Sequence, residues 1–463
     1  MIFRYDTISL TMVFLAIFMT TCAMVYRGDR SPVRSAPLWT FCLFACIACL
    51  ASNWLVFTVF LELSSLALAF SVGEKDRPTA RFYLYTQIAG GSLLLMATAM
   101  ASLSGLPAVG PVPGNALPFF LLGLGVKAAF PGLHFWLPRT HSQAPTEASA
   151  LLSGYSVKIG IYGLIRLIDG PSPGLVFLGA LMALYGVSQA LMQHDGKRLL
   201  AYHTFSQLGF MVAALGTGTD LGRMAALFHL VAHGLFKGLL FMGAGSLEKV
   251  YGTRDLGLLG RAARDLPLLF ALFIVGATAI AGLPGTSGYA SKALMKASLY
   301  PYTKALWALQ LAGIGTTLSF CKFCYYGFIR PARPTRPGSQ PIGFLKPYHL
   351  IAMAAMALAT LFIGLFPHLM PFFPQGFGAL WTEKGLLGGS IPIVAGVGVF
   401  SFFPGLFCPR EGHVPDVEDL ILPASRLLSW PLGFLRQLHT GKLRFYIALL
   451  TACLLSAFGA LWV

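Results

Sequence analysis

From residue 7 onward the chain is a succession of apolar runs of about 17–25 residues, the length that spans a hydrocarbon core when coiled as an α-helix. The runs lie near 7–26, 36–51, 54–73, 79–103, 116–137, 146–168, 174–192, 197–217, 221–247, 266–301, 304–329, 348–372, 388–408 and 445–463, about fourteen helices in all. They are too long and too unalternating for barrel strands. Only 11% of the residues are charged and 56% are hydrophobic, whereas a soluble domain carries about 25% charged residues. An all-α membrane protein is therefore predicted. The first run, Ile8–Tyr26, is long enough to cross and lacks a small-residue cleavage site, so no separate cleaved signal peptide is expected.

The net charge of +16 does not point to nucleic acid, because the basic residues sit in short connections and form no binding motif or basic face. Connections after odd-numbered runs are basic: Arg27, Arg30 and Arg34 after the first, Lys197 and Arg198 after the seventh, Lys249, Arg254, Arg261 and Arg264 after the ninth. Those after even-numbered runs are nearly bare, with Arg223 and Lys304 as exceptions. By the positive-inside rule both termini are expected on the outer face of a multi-pass protein. Residues 409–444 mix basic and apolar side chains with Trp430, which reads as a cytoplasmic surface segment ahead of the last span 445–463. The eight cysteines include ligand-like spacings at Cys42, Cys46 and Cys49 and at Cys321 and Cys324. They lie inside apolar runs, where cysteine behaves as a small hydrophobe, and no metal or other cofactor is expected in this chain.

Two runs are interrupted. Phe130-Pro131-Gly132 breaks the fifth, and Gly282-Leu283-Pro284-Gly285 breaks the tenth. Proline and glycine free backbone polar groups there, which a membrane tolerates only where protein or a wet cavity satisfies them.

Charges inside the runs are the functional candidates, since each costs about 2.5–3.5 kcal/mol at mid-bilayer even on insertion scales. Glu62 stands in the third run, Lys127 just before the first break, Lys158 in the sixth run and Lys292 just after the second break. His229, His233 and Lys237 share one face of the ninth at i, i+4 and i+8. His203 and Lys296 are secondary candidates. Each has a plainer reading: a hydrogen-bonded core histidine, a snorkelling Lys296, a Lys158 satisfied by a local carbonyl. The set as a whole is costly unless it serves a charged path. A desolvated lysine can release and regain a proton, a nearby carboxylate holds it charged until the two separate, and histidine passes protons between such sites. Glu62 and Lys127 are expected to form a switchable pair, with Lys158 and the His229/His233/Lys237 face leading to Lys292.

The runs Phe135-Trp136-Leu137-Pro138, His141-Ser142-Gln143-Ala144-Pro145-Thr146, Ser149–Gly154, Lys158–Gly163, Lys197–Tyr202, His229–Ser246 and Gly288-Tyr289-Ala290-Ser291-Lys292 together resemble the antiporter-like subunits shared by respiratory complex I, Mrp-type cation/proton antiporters and group 4 membrane-bound hydrogenases. The resemblance covers roughly residues 50–330. It implies two inverted five-helix repeats, each with one broken helix, at 36–168 and 169–329. An N-terminal helix and loop (1–35), two additional helices (330–408), the surface segment and the C-terminal helix would flank them. It also implies that Glu62 and Lys127 are the paired charges, Lys158 the central lysine, His229, His233 and Lys237 the relay, and Lys292 the terminal site.

Other membrane subunits would be the partners, with redox subunits carrying Fe-S clusters in a hydrogenase-like or complex I-like assembly, in a prokaryotic inner membrane. The chain would be the translocating subunit and would do no redox chemistry itself. A departure is the single span before the repeats, where such subunits commonly have three; at the position of Lys292 some relatives carry glutamate, and lysine is the other common choice. H⁺ alone versus Na⁺ or K⁺ stays open. So does the alternative of a membrane partner that couples proton flow to a soluble enzyme, such as an inorganic-carbon uptake system.

Overall fold

The computed structural model describes residues 3–29, 31–102, 105, 107–331, 341–374, 378–409 and 414. Among these residues the only extended pairings are isolated bridges, Phe3 with Ala51, Asn53 with Ala108 and Asp195 with Asp255. Everything else regular is helical. Ten helices are long and apolar enough to cross a membrane, which makes the chain an all-α, multi-pass membrane protein.

The first four helices are α1 (Thr7–Arg27), α2 (Pro32–Leu50), α3 (Trp54–Gly73) and α4 (Arg77–Ala101). Polar residues just outside the apolar runs start them: Asp6, Asn53 and Asp76 each accept a backbone N–H of the first turn. Gly28, at φ +64°, ends α1 with a left-handed residue. The fifth span is split into α5 (Leu117–Lys127) and α6 (Trp136–Gln143), with Pro131 in the gap. The sixth is α7 (Thr146–Leu151) and α8 (Val157–Leu167), joined by a π-helical turn over Leu152–Ser156.

Next come α9 (Pro173–Met192), α10 (Gly196–Gly216) and α11 (Asp220–Tyr251), then the short α12 (Ala262–Asp265). The tenth span is split into α13 (Pro267–Ala281) and α14 (Ser287–Ser298), with Pro284 between them. α15 (Thr303–Cys324), α16 (Pro347–Leu365) and α17 (Glu383–Phe402) complete the set. The expected surface segment 409–444 and last span 445–463 lie outside the described residues, apart from Pro409 and Val414.

Two expected boundaries shift. The run read as 348–372 is helical only to Leu365 and then turns at Pro367–Leu369, because Pro367 offers no N–H to continue it. The run read from 388 begins earlier, at Glu383, where the Thr382 hydroxyl accepts from Gly385 N.

α10 and α11 form the centre, and every residue of α10 except Arg198 is buried. α9 lies directly on α10. A Cβ at Gly179 would stand 2.4 Å from the Gly209 carbonyl oxygen, so only glycine permits this approach. α10 packs on α6, and α11 on α13 and α14, so the central pair links the two broken helices.

Candidate functional site: a line of buried charges through the bundle

Lys127 is the last residue of α5, and beyond it the chain cannot continue as a helix. Ala129 takes the left-handed conformation at φ +55° and Gly132 at φ +78°. Trp136 Nε1 donates at 3.0 Å to the Val126 carbonyl, which Ala129 N also reaches at 3.3 Å, a protein partner of the kind an interrupted membrane helix requires. The Lys127 ammonium is buried and meets Glu62 Oε1 of α3 at 2.5 Å. It also donates to Ser65 Oγ at 3.3 Å and to the Gln87 carbonyl at 3.2 Å. The Glu62 carboxylate fits because Gly91 of α4 has no side chain; a Cβ there would lie 2.3 Å from Glu62 Cδ.

Lys158 follows the π-helical turn and donates to the Ser153 carbonyl within it. The local-carbonyl reading of this lysine is thus correct as far as its bond goes. The same turn aims the Ser153 hydroxyl at Thr204 Oγ1 of α10, 2.7 Å away. Thr204 in turn donates to the Leu200 carbonyl at 3.1 Å, so the Ser153 hydroxyl is the donor between the two. The Leu200 carbonyl also accepts from Lys237 Nζ of α11. Lys158 and Lys237 thus stand at the two ends of the Ser153–Thr204 contact, each bonded to a carbonyl and neither to a hydroxyl.

His229, His233 and Lys237 are all fully buried on α11. His229 Nδ1 lies 2.9 Å from Ser291 Oγ of α14. Because Ser291 donates to the Gly288 carbonyl at 3.0 Å, the proton of the His229–Ser291 bond is assigned to Nδ1. The ring centroids of His229 and His233 are 5.8 Å apart. His229 Nε2 and both nitrogens of His233 are buried with no hydrogen-bond partner among the described residues.

At the second break, Gly282 and Gly285 adopt φ +94° and +90°. Lys292 Nζ fills the opening, donating to the Ile280 carbonyl at 2.5 Å and the Ala281 carbonyl at 3.3 Å. It stands 5.4 Å over the Phe210 ring, which also faces His229, with ring centroids 6.4 Å apart.

The secondary candidates lie beside this line. His203 is buried beside Phe320, with ring centroids 5.0 Å apart, and makes no hydrogen bond among the described residues. Lys296 is half-buried rather than snorkelling freely, and donates to the Gly388 carbonyl of α17 at 3.0 Å.

Sequence reasoning missed several groups. His141 on α6 is fully buried with neither nitrogen bonded, and stacks on Phe241 at 4.5 Å, beneath Lys237 at 5.2 Å from the same ring. Its place in the His141–Thr146 run was its only signal. Lys197, read as a loop charge, is fully buried and paired with Glu248 at 2.7 Å. Glu248 also takes Lys75 at 2.8 Å. Arg254 pairs with Asp195 at 3.0 Å and donates to the Ser142 carbonyl, which fastens the turn after α6. At the opposite end of α1, Asp6 accepts Arg166 at 2.6 Å and Arg4 at 2.7 Å. Burial alone would raise the Asp6 carboxyl. The hydrogen bonds from Arg166 and Ser9 N, with the charges of Arg166 and Arg4, outweigh it and hold the group down at about 2.

The sequence pattern of the family described as "NADH:quinone oxidoreductase/Mrp antiporter, TM" matches residues 51–319. Hydrogenase-4 component B of Escherichia coli (strain K12) is 30% identical over 408 residues, 78% of this chain and 61% of the relative. The chain thus spans 61% of that relative's length. NAD(P)H-quinone oxidoreductase chain 4 1 of Synechococcus sp. (strain JA-3-3Ab) is 30% identical over 404 residues, 79% of this chain and 76% of the relative. Among solved structures, the membrane-bound sulfane sulfur reductase, an archaeal respiratory membrane complex, has a subunit of the same fold. The TM-score is 0.75 at 21% identity, over 99% of this chain and 89% of that one. The interrupted helices and the line of buried charges fall inside the matched region, and the chain belongs to the NADH:quinone oxidoreductase/Mrp antiporter transmembrane family.

Proposed function

We propose that this chain is the proton-conducting membrane subunit of a multisubunit complex, and that protons move along Glu62, Lys127, Lys158, Lys237, His233, His229 and Lys292. The observation that carries this reading is that Lys158 and Lys237, two buried amines bonded to carbonyls with no carboxylate beside either among the described residues, stand on either side of the Ser153–Thr204 hydroxyl pair, where water bonded to the hydroxyls and amines would complete a proton route. The unpartnered nitrogens of His229 and His233 support it, since buried polar atoms without protein partners are the places where ordered water completes a chain. Glu62 and Lys127 act as the switch. While they touch, the carboxylate holds the ammonium charged; when they part, the desolvated amine gives up its proton to the next base.

The path is built of nitrogen bases with Glu62 as its carboxylate, which suits H⁺ better than Na⁺, an ion that seeks oxygen ligands. In this reading the full protein has fourteen spans arranged as two inverted repeats, 36–168 and 169–329, each contributing one broken helix with a lysine beside it. Both termini lie on the outer face of a prokaryotic inner membrane. Other membrane subunits flank the chain, and redox partners carrying Fe-S clusters supply the driving reaction. The similarity to a hydrogenase component and to a quinone oxidoreductase chain supports such an assembly.

The test is proton movement by the native complex reconstituted in vesicles. Lys127→Ala and Lys292→Ala are expected to abolish it while the complex still assembles. Wild-type movement with either substitution overturns the reading, and movement of Na⁺ in place of H⁺ replaces it with cation transport.

A further inference from the structure

Beside the terminal lysine, between α14, α15 and α17, lies a cavity of about 300 Å³. Three lysines line it: Lys292 at its inner end, Lys296 one turn further along α14, and Lys384 in the first turn of α17. No carboxylate lines it among the described residues. Lys296 spends one of its three donors on the Gly388 carbonyl, and Lys384 is exposed. Positive charges gathered around one space repel each other, and an anion seated among them relieves that repulsion and keeps the amines charged.

The surroundings say which anion. Tyr300, 79% exposed, and Trp381, 49% exposed, stand where α14 ends and α17 approaches the membrane, and exposed tyrosine and tryptophan mark the headgroup level of a bilayer. On the adjoining face of α17, Leu387, Ile391 and Val394 are exposed in helical register, an apolar track leading from Lys384 into the hydrocarbon. A basic cavity at headgroup depth with an apolar track below it matches a phosphate joined to acyl chains.

We propose that this cavity binds the phosphate of an anionic membrane lipid through Lys296 and Lys384, and that the bound anion, lying beside Lys292, regulates the last step of transport. The regulatory half rests on the proton-conducting reading; the binding half does not.

The test has two arms. In the first, the native complex is purified in mild detergent and its retained lipids are identified by mass spectrometry. Wild type is expected to retain phosphatidylglycerol, and the K296Q/K384Q double variant to lose it several-fold. Equal retention overturns the site, as does a zero-length carbodiimide cross-link from Lys384 to a carboxylate of another subunit, which would make the ligand a protein. In the second, proton movement is compared in vesicles of phosphatidylcholine alone and of phosphatidylcholine mixed with phosphatidylglycerol. Wild type is expected to differ several-fold between the two, and K384Q to narrow the difference. If inorganic phosphate added to phosphatidylcholine vesicles reproduces the effect, the lipid is overturned as its source in favour of a soluble anion. A complex that moves no protons yet retains lipid in the lysine-dependent way leaves the site standing and removes only the transport reading.

Discussion

Glu62 Oε1 lies 2.5 Å from Lys127 Nζ, with the lysine side chain 3% exposed and the glutamate 23% exposed. This is an asymmetric pair: the ammonium has almost no water, and the carboxylate has some. Glu62→Gln removes the charge that holds the lysine protonated but keeps a hydrogen-bonding group in place. Proton movement is expected to fall at least about a hundredfold, the low end of what a positioned acid or base contributes, while assembly is retained. Gly91→Ala offers a check from the other side, because its new Cβ would push into Glu62 Cδ, the movable end of a side chain. It is expected to lower proton movement similarly; wild-type rates in both variants would remove the paired switch.

The Ser153–Thr204 bridge makes a second, independent demand. Replacing both partners with apolar groups of similar shape leaves no orphaned donor and costs little stability. Ser153→Ala combined with Thr204→Val is therefore expected to keep the complex intact and slow proton movement several-fold. Unchanged movement in vesicles would show that protons bypass the hydroxyls.

Glu248 holds Lys197, whose side chain is 0% exposed. Glu248→Gln leaves that ammonium buried without its carboxylate, and breaking a buried pair from one side costs about 3–5 kcal/mol. The low end is expected, because the Glu248 side chain is 24% exposed. A clear fall in the unfolding temperature of the purified complex should report it, and an unshifted transition would contradict the buried pair.

Asp6 caps α1 with a carboxyl held at about 2 against an ordinary 3.8. A folded value below the unfolded one means that the ionised form stabilises the fold. That contribution is complete above about pH 4 and is lost as the pH falls through the folded value. Asp6→Asn is expected to be less stable than wild type at neutral pH, and the gap to close on acidification. A gap that persists at the lowest pH would assign the loss to packing instead of charge.

The ten long apolar helices among the described residues and both interruptions were legible because lipid imposes them locally: apolar length makes a crossing, and Pro131 and Pro284 with their glycines unmake it. The buried charges were legible for the complementary reason, since Glu62, Lys127, Lys158, Lys237 and Lys292 violate that apolar rule one residue at a time. What binds them together was not. A π-helical turn at Leu152–Ser156 changes hydrogen-bond register without changing composition, and nothing in the string marks Ser153 as facing Thr204 rather than its own helix. Lys197 looked like a loop charge because its partner, Glu248, is brought to it only by the packing of α10 against α11. His141 carried no local sign that its ring lies under Lys237 through Phe241.

Lys158 stands at the middle of the proposed path, so its removal tests the continuity of the whole line. The decisive measurement is proton movement driven across vesicles containing the native complex with Lys158→Met, a substitution that keeps the length of the side chain and removes its titrating group. The account predicts a loss of at least about a hundredfold with every subunit still present. Movement at the wild-type rate in an intact complex would contradict it.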